Sequence, residues 1–314
     1  PSVLGMPFLV SDWAPDSFAR YASTRSELVV ADTIVSAGYE VTDQLSLGAG
    51  YVYSAGAGSL STAVMNPFAP ATDAFAQLKG HSKAHGYTAS ALYKLNEQHS
   101  FGLIYRSQVV HKFEGKVHLD NLTSTLATIF GGSAFTTEAE TTIVLPQNVV
   151  AGYSYKPNDK WRWNLDAQWT DWSTYDQEKV NYLHVNDTQL ATLNAANDGN
   201  PTARDWHDSI SAAIGAEYSL RDNFRLRGGY FWRETPITNN NFDTFNPDND
   251  KHGLSAGFGW DLKDDLTWDF AYVGVIVPDR ENVASSNGNI NGSNINGTYE
   301  EFINAYNTTL TYAF

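Results

Sequence analysis

Apolar and polar side chains alternate with a period of two along most of the chain. Trp161, Trp163, Leu165, Ala167 and Trp169 alternate with Arg162, Asn164, Asp166, Gln168 and Thr170. Phe224, Leu226, Gly228, Tyr230 and Trp232 alternate with Arg225, Arg227, Gly229, Phe231 and Arg233, and Leu266, Trp268, Phe270 and Tyr272 with Thr267, Asp269, Ala271 and Val273. Successive side chains of a strand point to opposite faces, so each run presents one apolar face and one polar or small face. The runs are paired around short polar turns at Thr42-Asp43-Gln44, Asn96-Glu97-Gln98, Pro157-Asn158-Asp159, Arg221-Asp222-Asn223 and Lys263-Asp264-Asp265. Five hairpins and a last strand near 306–314 predict about eleven antiparallel strands. The opposite connections are long, at about 55–81, 113–136, 181–204, 236–249 and 278–298. Short turns at one end and long loops at the other predict an all-β fold, a transmembrane antiparallel β-barrel of the bacterial outer membrane.

A soluble β-sandwich is the alternative, because alternation alone does not tell a lipid-facing side from a core-facing one. Two features favour the membrane. Aromatic residues cluster at strand ends, as interfacial girdles require. The polar phase also carries Lys94, Arg106, Arg162, Asp166, Glu217, Arg225, Arg227, Arg233, Asp261 and Asp269, charges that a dry sandwich core rejects and a wet lumen accepts. At the C-terminus Leu310, Tyr312 and Phe314 share the apolar phase, which resembles the assembly signal of outer-membrane proteins and makes the barrel assembly machinery an expected partner.

Composition narrows the function. The 314 residues carry a net charge of −15, which excludes the basic face of a nucleic-acid binder. No window approaches the roughly 18–20 apolar residues of a spanning helix. The absence of cysteine removes thiol catalysis, disulfides and Cys-ligated metals, and suits assembly through the periplasm. None of the eight His lies in a Gly-x-Ser-x-Gly or His-Glu-x-x-His setting, so the reading is not an enzyme, and no cofactor is expected. The loops 236–249 and 281–297 are rich in Asn, Asp and Gly, but Asp243 to Asp250 lacks the spacing of an EF-hand and reads as solvated surface. Pro1 is not an initiator Met, and no basic, apolar leader precedes it, so a processed or truncated start is expected.

Two loop stretches are apolar. Residues 65–78 carry Met65, Phe68, Phe75 and Leu78; residues 119–130 carry Leu119, Leu122, Leu126, Ile129 and Phe130, whose spacing predicts a helix with one apolar stripe. Such stripes either form a groove for a hydrophobic ligand or pack on each other to close the mouth. In the lumen phase, Arg106, Arg225 and Arg227 have the forked donors that grip a carboxylate, although lumen arginines commonly pair with acids such as Asp166, Glu217 or Asp269.

The ordered segments Leu45-Ser46-Leu47-Gly48-Ala49-Gly50, Tyr105-Arg106-Ser107-Gln108-Val109, Lys112-Phe113-Glu114-Gly115, Trp169-Thr170-Asp171-Trp172-Ser173, Glu234-Thr235-Pro236-Ile237, Pro247-Asp248-Asn249-Asp250 and Leu310-Thr311-Tyr312-Ala313-Phe314 resemble the FadL family of long-chain fatty acid outer-membrane transporters and its aromatic-hydrocarbon relatives. The resemblance covers essentially the whole chain. It implies a passive transporter of long-chain fatty acids or other hydrophobic small molecules, set among outer-membrane lipid and lipopolysaccharide, with helices in the loops 55–81 and 113–136 forming the capture groove. It also implies a barrel of fourteen strands with an N-terminal hatch. Here residues 1–24 read as a strand end and an extracellular loop, and 25–314 as the barrel meander, so the chain is expected to be a single domain lacking the hatch and first strands. Arg204 and His207 lie near where the family places a basic residue. The family's basic residue after strand 45–54 is replaced by Gly58-Ser59-Leu60-Ser61-Thr62, which leaves fatty acid and aromatic hydrocarbon both open, with a general porin for small polar solutes as a third reading.

Overall fold

The computed structural model describes residues 2–4, 8–66, 72–196, 200–282 and 294–313. The period-two runs form long strands because each leaves one face apolar while the ladders satisfy the backbone. The first half of the chain contains β1 (Ser2–Leu4), β2 (Phe8–Asp12), β3 (Arg25–Glu40), β4 (Leu45–Val64), β5 (Ala74–Lys94), β6 (His99–Arg106), β7 (Val109–Asp120), helix α1 (Ser124–Phe130), β8 (Phe135–Leu145) and β9 (Asn148–Tyr155). The second half contains β10 (Trp161–Thr170), β11 (Gln177–Glu178), β12 (Val180–Tyr182), helix α2 (Asp187–Ala196), β13 (Thr202–Ala203) and β14 (Ser209–Arg221). It ends with β15 (Phe224–Arg233), β16 (Lys251–Lys263), β17 (Leu266–Asn282) and β18 (Gly297–Tyr312).

One antiparallel sheet runs in the order β3-β4-β5-β6-β9-β10-β14-β15-β16-β17-β18, with β1 and β2 both on the outer edge of β3. β6 and β7 are one strand interrupted at Ser107 and Gln108, and β8 and β9 are its returning partner interrupted at Pro146 and Gln147. The pairs Arg106↔Asn148 and Val109↔Leu145 keep a single register across the break. Counting each interrupted strand once gives eleven wall strands, joined by the five short turns that the pattern predicted. The sheet curls until its ends approach, with the Trp13 ring 6.3 Å from that of Tyr299.

Residues directly opposite in a ladder share a face. The pairs Arg162↔Glu217, Glu217↔Arg227, Arg227↔Gly257 and Gly257↔Ala271 put the charged phase of β10, β14, β15, β16 and β17 on one side. Asp166↔Gly152, Gly152↔Gly102 and Gly102↔Leu92 extend that side to Arg106 and Lys94. The other side is apolar and exposed, as at Val35, Leu103, Leu165, Ile214, Leu226, Leu254 and Leu310. Aromatic belts bound it. Trp161, Trp163 and Tyr218 stack beside the short turns, and Tyr51, Tyr87, Trp169, Tyr230 and Tyr306 lie toward the long loops. An apolar band between two aromatic girdles is the lipid-facing surface of a barrel, and the charged face is its lumen.

Several boundaries differ from the pattern. The expected loops 55–81 and 113–136 shrink to 65–73 and 121–134, because β4, β5, β7 and β8 continue past the membrane band. On β7, Phe113, Gly115, Val117 and Leu119 alternate with Lys112, Glu114, Lys116 and His118, so strand periodicity persists into the stretch expected to be loop. The helix expected over 119–130 is confined to Ser124–Phe130; Leu119 is a strand residue and Leu122 precedes the helix. A second helix does occur, but at Asp187–Ala196 and not, among the described residues, within 65–78.

Between Thr88↔Arg106 and His81↔Glu114, residues 82–87 of β5 face 107–113, one residue more. This bulge reverses the phase of the strand, turning Val109, His111 and Phe113 inward. His111 is fully buried, its ring nitrogens 3.0 Å from Ser54 Oγ and 2.8 Å from Ser82 Oγ. Further up, Gly80 and Gly115 face each other so closely that a Cβ on Gly115 would lie 1.8 Å from the Lys79 carbonyl oxygen. Gly115→Ala is expected to lower unfolding free energy by about 3 kcal/mol, since a backbone contact has nowhere to move. Gly132→Ala, with its nearest neighbour at 3.9 Å, changes it little. Denaturant unfolding followed by tryptophan fluorescence reads both.

Candidate functional site

The long-loop end of the barrel is closed by a strap. The connection 234–250 leaves β15, crosses the mouth and docks on the far wall. Ser11 Oγ and Trp13 Nε1 donate to the Thr244 carbonyl at 3.1 and 3.0 Å, and Ser26 Oγ donates to the Phe245 carbonyl at 2.7 Å. Asp243 shapes the crossing by accepting from the amides of Phe245 and Asn246 at 3.0 and 3.2 Å. Its other carboxylate oxygen is held by Arg204, whose fork also donates to Glu178 at 2.7 Å. Arg204 is 8 % exposed. Burial alone would lower its pKa, but the charges of Asp243 and Glu178 outweigh this and hold it well above the ordinary value. Tyr175 donates to Glu178 at 3.0 Å, and burial, reinforced by that carboxylate, pushes the phenol far up, so it stays a donor. The connection between β10 and β14 and the strap are thus tied together at one buried guanidinium.

Below the strap lie the apolar residues. Leu119, Leu122, Leu126 and Phe130 are buried together with Ala74, Val117, Ala139, Val180 and Leu193, and Leu78 and Ile129 pack against them. The two sequence stretches therefore do meet, through the inner face of β5. Phe75 does not join them: it points to the outer face of the same strand and is 46 % exposed. Met65 is half-buried outside the cluster, and Phe68 lies outside the described residues. Val180 and Leu193 escaped the sequence reading because they sit at and within the connection 181–204, whose apolar residues show neither a long strand nor a strong helical stripe; Val117 was legible from its alternation with Lys116 and His118. Leu126→Ala is expected to cost about 2–4 kcal/mol in local stability, with faster hydrogen exchange confined to 121–134.

Two small cavities open along this surface. One of about 50 Å³ is lined by Val64, Ala76, Val117, Leu119 and Leu193 together with Leu60 and Leu78. The other, about 60 Å³, is lined by Leu28, Gly58, Phe113, Ile143 and the strap residue Phe245, again with Leu60 and Leu78. Leu60 and Leu78 separate and join the two, giving an apolar track down the inner face of β4 and β5. The charged side chain bordering it is Glu178; Glu27, also at its rim, lies opposite Ser59 on the outer face and pairs there with Arg25.

Nearer the short turns the lumen is polar. A cavity of about 540 Å³ is bordered by Arg162, Asp166, Glu217, Arg227, Asp269 and Asn307 over a floor of Gly and Ala. The candidate headgroup cations sit as follows. Arg106 pairs with buried Asp32. Arg225 pairs with Asp261 at 2.7 Å, and Arg227 pairs with Glu217 at 2.7 Å and Asp269 at 2.6 Å. Arg204 holds Glu178 and Asp243 at the strap. His207 is exposed, with Nδ1 2.8 Å from the Asp208 carbonyl. Each of these arginines thus has a carboxylate, and two of them have two.

The family model described as outer membrane protein transport protein (OMPP1/FadL/TodX) matches residues 5–314. The long-chain fatty acid transport protein of Escherichia coli (strain K12) is 28% identical over 220 residues, which cover 68% of this chain and 46% of that protein. A 47 kDa outer membrane protein of Pasteurella multocida is 26% identical over 198 residues, 60% of this chain and 42% of that one. The chain therefore spans about half the length of the curated relatives it matches. Among solved structures, a Pseudomonas aeruginosa FadL homologue superposes with a TM-score of 0.82 at 20% identity, over 97% of this chain and 72% of that one. The Ralstonia pickettii toluene transporter TbuX does so with a TM-score of 0.66 at 16% identity, over 95% and 73%. Both show the barrel fold, and the match along nearly the whole sequence shows the family: the chain belongs to the OMPP1/FadL/TodX family of outer-membrane transport proteins.

Proposed function

We propose that this chain forms the wall and mouth of a passive outer-membrane route for hydrophobic ligands, with capture at the extracellular loops and passage along the inner face of β4 and β5. The observation that carries the reading is the pair of apolar cavities sharing Leu60 and Leu78, which runs from the loop cluster to the inner wall above a charged lumen. Desolvation drives occupancy, at about 0.8 kcal/mol per buried CH₂, so affinity rises with chain length and no cofactor is required. Long-chain fatty acids are the first ligand class, in keeping with the name of the Escherichia coli relative.

A second reading, uncharged hydrocarbon, is favoured by the charges. Arg106, Arg204, Arg225 and Arg227 are each compensated by Asp or Glu, and the track itself is bordered by Glu178. A ligand carboxylate would have to displace one of these acids. The two readings separate in a bacterium lacking its own fatty acid transporter and supplied with the full-length gene. Uptake of labelled oleate supports the first, and uptake of labelled toluene alone supports the second. A correctly inserted barrel that moves neither sinks both and leaves a porin for polar solutes.

A further inference from the structure

Just above the long-loop aromatic belt, the outer wall carries a patch of lysines. His85 and Tyr87 belong to the belt on β5, and the next outward residues up that strand are Lys83, His81 and Lys79. On the neighbouring β7, the bulge turns Lys112, Glu114 and Lys116 outward. Lys79 stands directly opposite Lys116, and Lys83 and Lys112 lie four residues lower, past the His81↔Glu114 pair at which the ladder ends. All four are exposed. Among the described residues the lysines in ion pairs are Lys156 and Lys251, not these.

Four of the ten lysines of a chain with net charge −15 gather on this one surface. Like charges directly opposite in a ladder repel each other. Acidic neighbours are present but do not resolve this: Glu114 faces His81 and Glu140, and Glu138 faces Lys116 without an ion pair. On the other flank, β4 offers Ala55, Ala57 and Ser59 opposite Lys83, His81 and Lys79, a shelf without long side chains. Two residues along a strand span about 7 Å, so the lysine rows lie about 7 and 20 Å along the tilted strand beyond His85. The lower row is at the depth of lipid headgroups outside the hydrocarbon and the upper at that of the sugars beyond, where long lysine stems hold their ammonium groups in water.

We propose that this surface binds the phosphate groups of a glycolipid in the outer leaflet, with Lys79 and Lys116 clamping one anion, Lys83 and Lys112, about 13 Å lower along the strands, holding a second, and the sugar resting on the Ala55, Ala57 and Ser59 shelf. The lipid supplies the negative charge that the facing lysines lack. The site is independent of what passes through the lumen.

The test uses the full-length protein in zwitterionic detergent, with bis-phosphorylated lipid A and its dephosphorylated form as probes, and native mass spectrometry as the readout. Wild type is expected to retain the phosphorylated probe and not the other. The variant with Lys79, Lys83, Lys112 and Lys116 all changed to Gln should lose binding about tenfold or more. A control with Lys156→Gln and Lys160→Gln, at a short turn, should bind as wild type. Lys79→Glu alone should reproduce most of the loss, which guards against a folding defect in the fourfold variant. Undiminished binding by the fourfold variant, equal retention of both probes, or full competition by inorganic phosphate at matched concentration would each overturn the proposal.

Discussion

Replacing Arg204 with methionine is expected to loosen the strap at residues 243–246 while leaving the wall intact. The change removes the single cation between Glu178 and Asp243, whose side chains are each 13% exposed. Two carboxylates would then face each other in a largely dry site. Breaking a buried ion pair from one side costs about 3–5 kcal/mol. What still holds residues 243–246 is the set of hydrogen bonds from Ser11, Trp13 and Ser26, each worth about 1 kcal/mol net, while the rest of the strap stays anchored by Arg280, which donates to the Ile237 carbonyl and Asn239 Oδ1 at 2.9 Å, and by buried Ile237 and Phe242. The loss equals or exceeds the local attachment, so 243–246 opens readily while the rest of the strap stays in place. Hydrogen exchange should accelerate by two orders of magnitude or more at 243–246, with no change in β14 or β15. Arg204→Lys should fall between, because a single ammonium cannot fork to two carboxylates held by different loops. Normal protection at 243–246 in the methionine variant would mean that backbone docking on β2 and β3 alone closes the mouth. With 243–246 open, Phe245 no longer covers the apolar track, so uptake of a hydrophobic ligand should rise in the same variant.

How much of this was legible beforehand follows from the range of each interaction. Hairpins such as 161–170 paired to 148–155 are written locally, since period-two alternation and a Pro-Asn-Asp turn lie within a few residues of each other. The lumen face was legible for the same reason: Arg225 and Arg227 share a phase with Arg233 whatever lies opposite. The upper half of β7 was lost because a one-residue bulge at 107–113 reverses the phase, and charged residues outside the membrane band look like loop. Arg204 was singled out, but as a receptor for a ligand headgroup. Its acids, Glu178 and Asp243, lie 26 and 39 residues away in separate connections. Asp243 stands among Asn, Asp and Gly residues that read as solvated surface. Nothing local distinguishes a carboxylate that meets a buried guanidinium from one that meets water.

The lipid-facing side of the wall is open to a direct energetic test at adjacent residues. Leu165 lies at the centre of β10, faces outward between Tyr153 and Ile214, and is 46% exposed. Asn164, one residue before, lines the polar lumen cavity with Asp166 and Glu217. If the outer face meets hydrocarbon, Leu165→Arg should destabilise the folded barrel by about 2–4 kcal/mol, the cost of a guanidinium near the bilayer midplane. Asn164→Arg should cost less than about 1 kcal/mol, because the lumen is wet and two carboxylates are near. The measurement is reversible denaturant unfolding from lipid vesicles, comparing midpoints at constant slope. A pair of adjacent residues controls for strand propensity, local packing and distance from the short turn, so the difference isolates the solvent on each side. In detergent micelles the Leu165→Arg penalty should shrink, since a micelle deforms around the charge more readily than a bilayer. Equal costs at the two positions would mean that the apolar face rests on protein and not on lipid, and the sandwich reading would return.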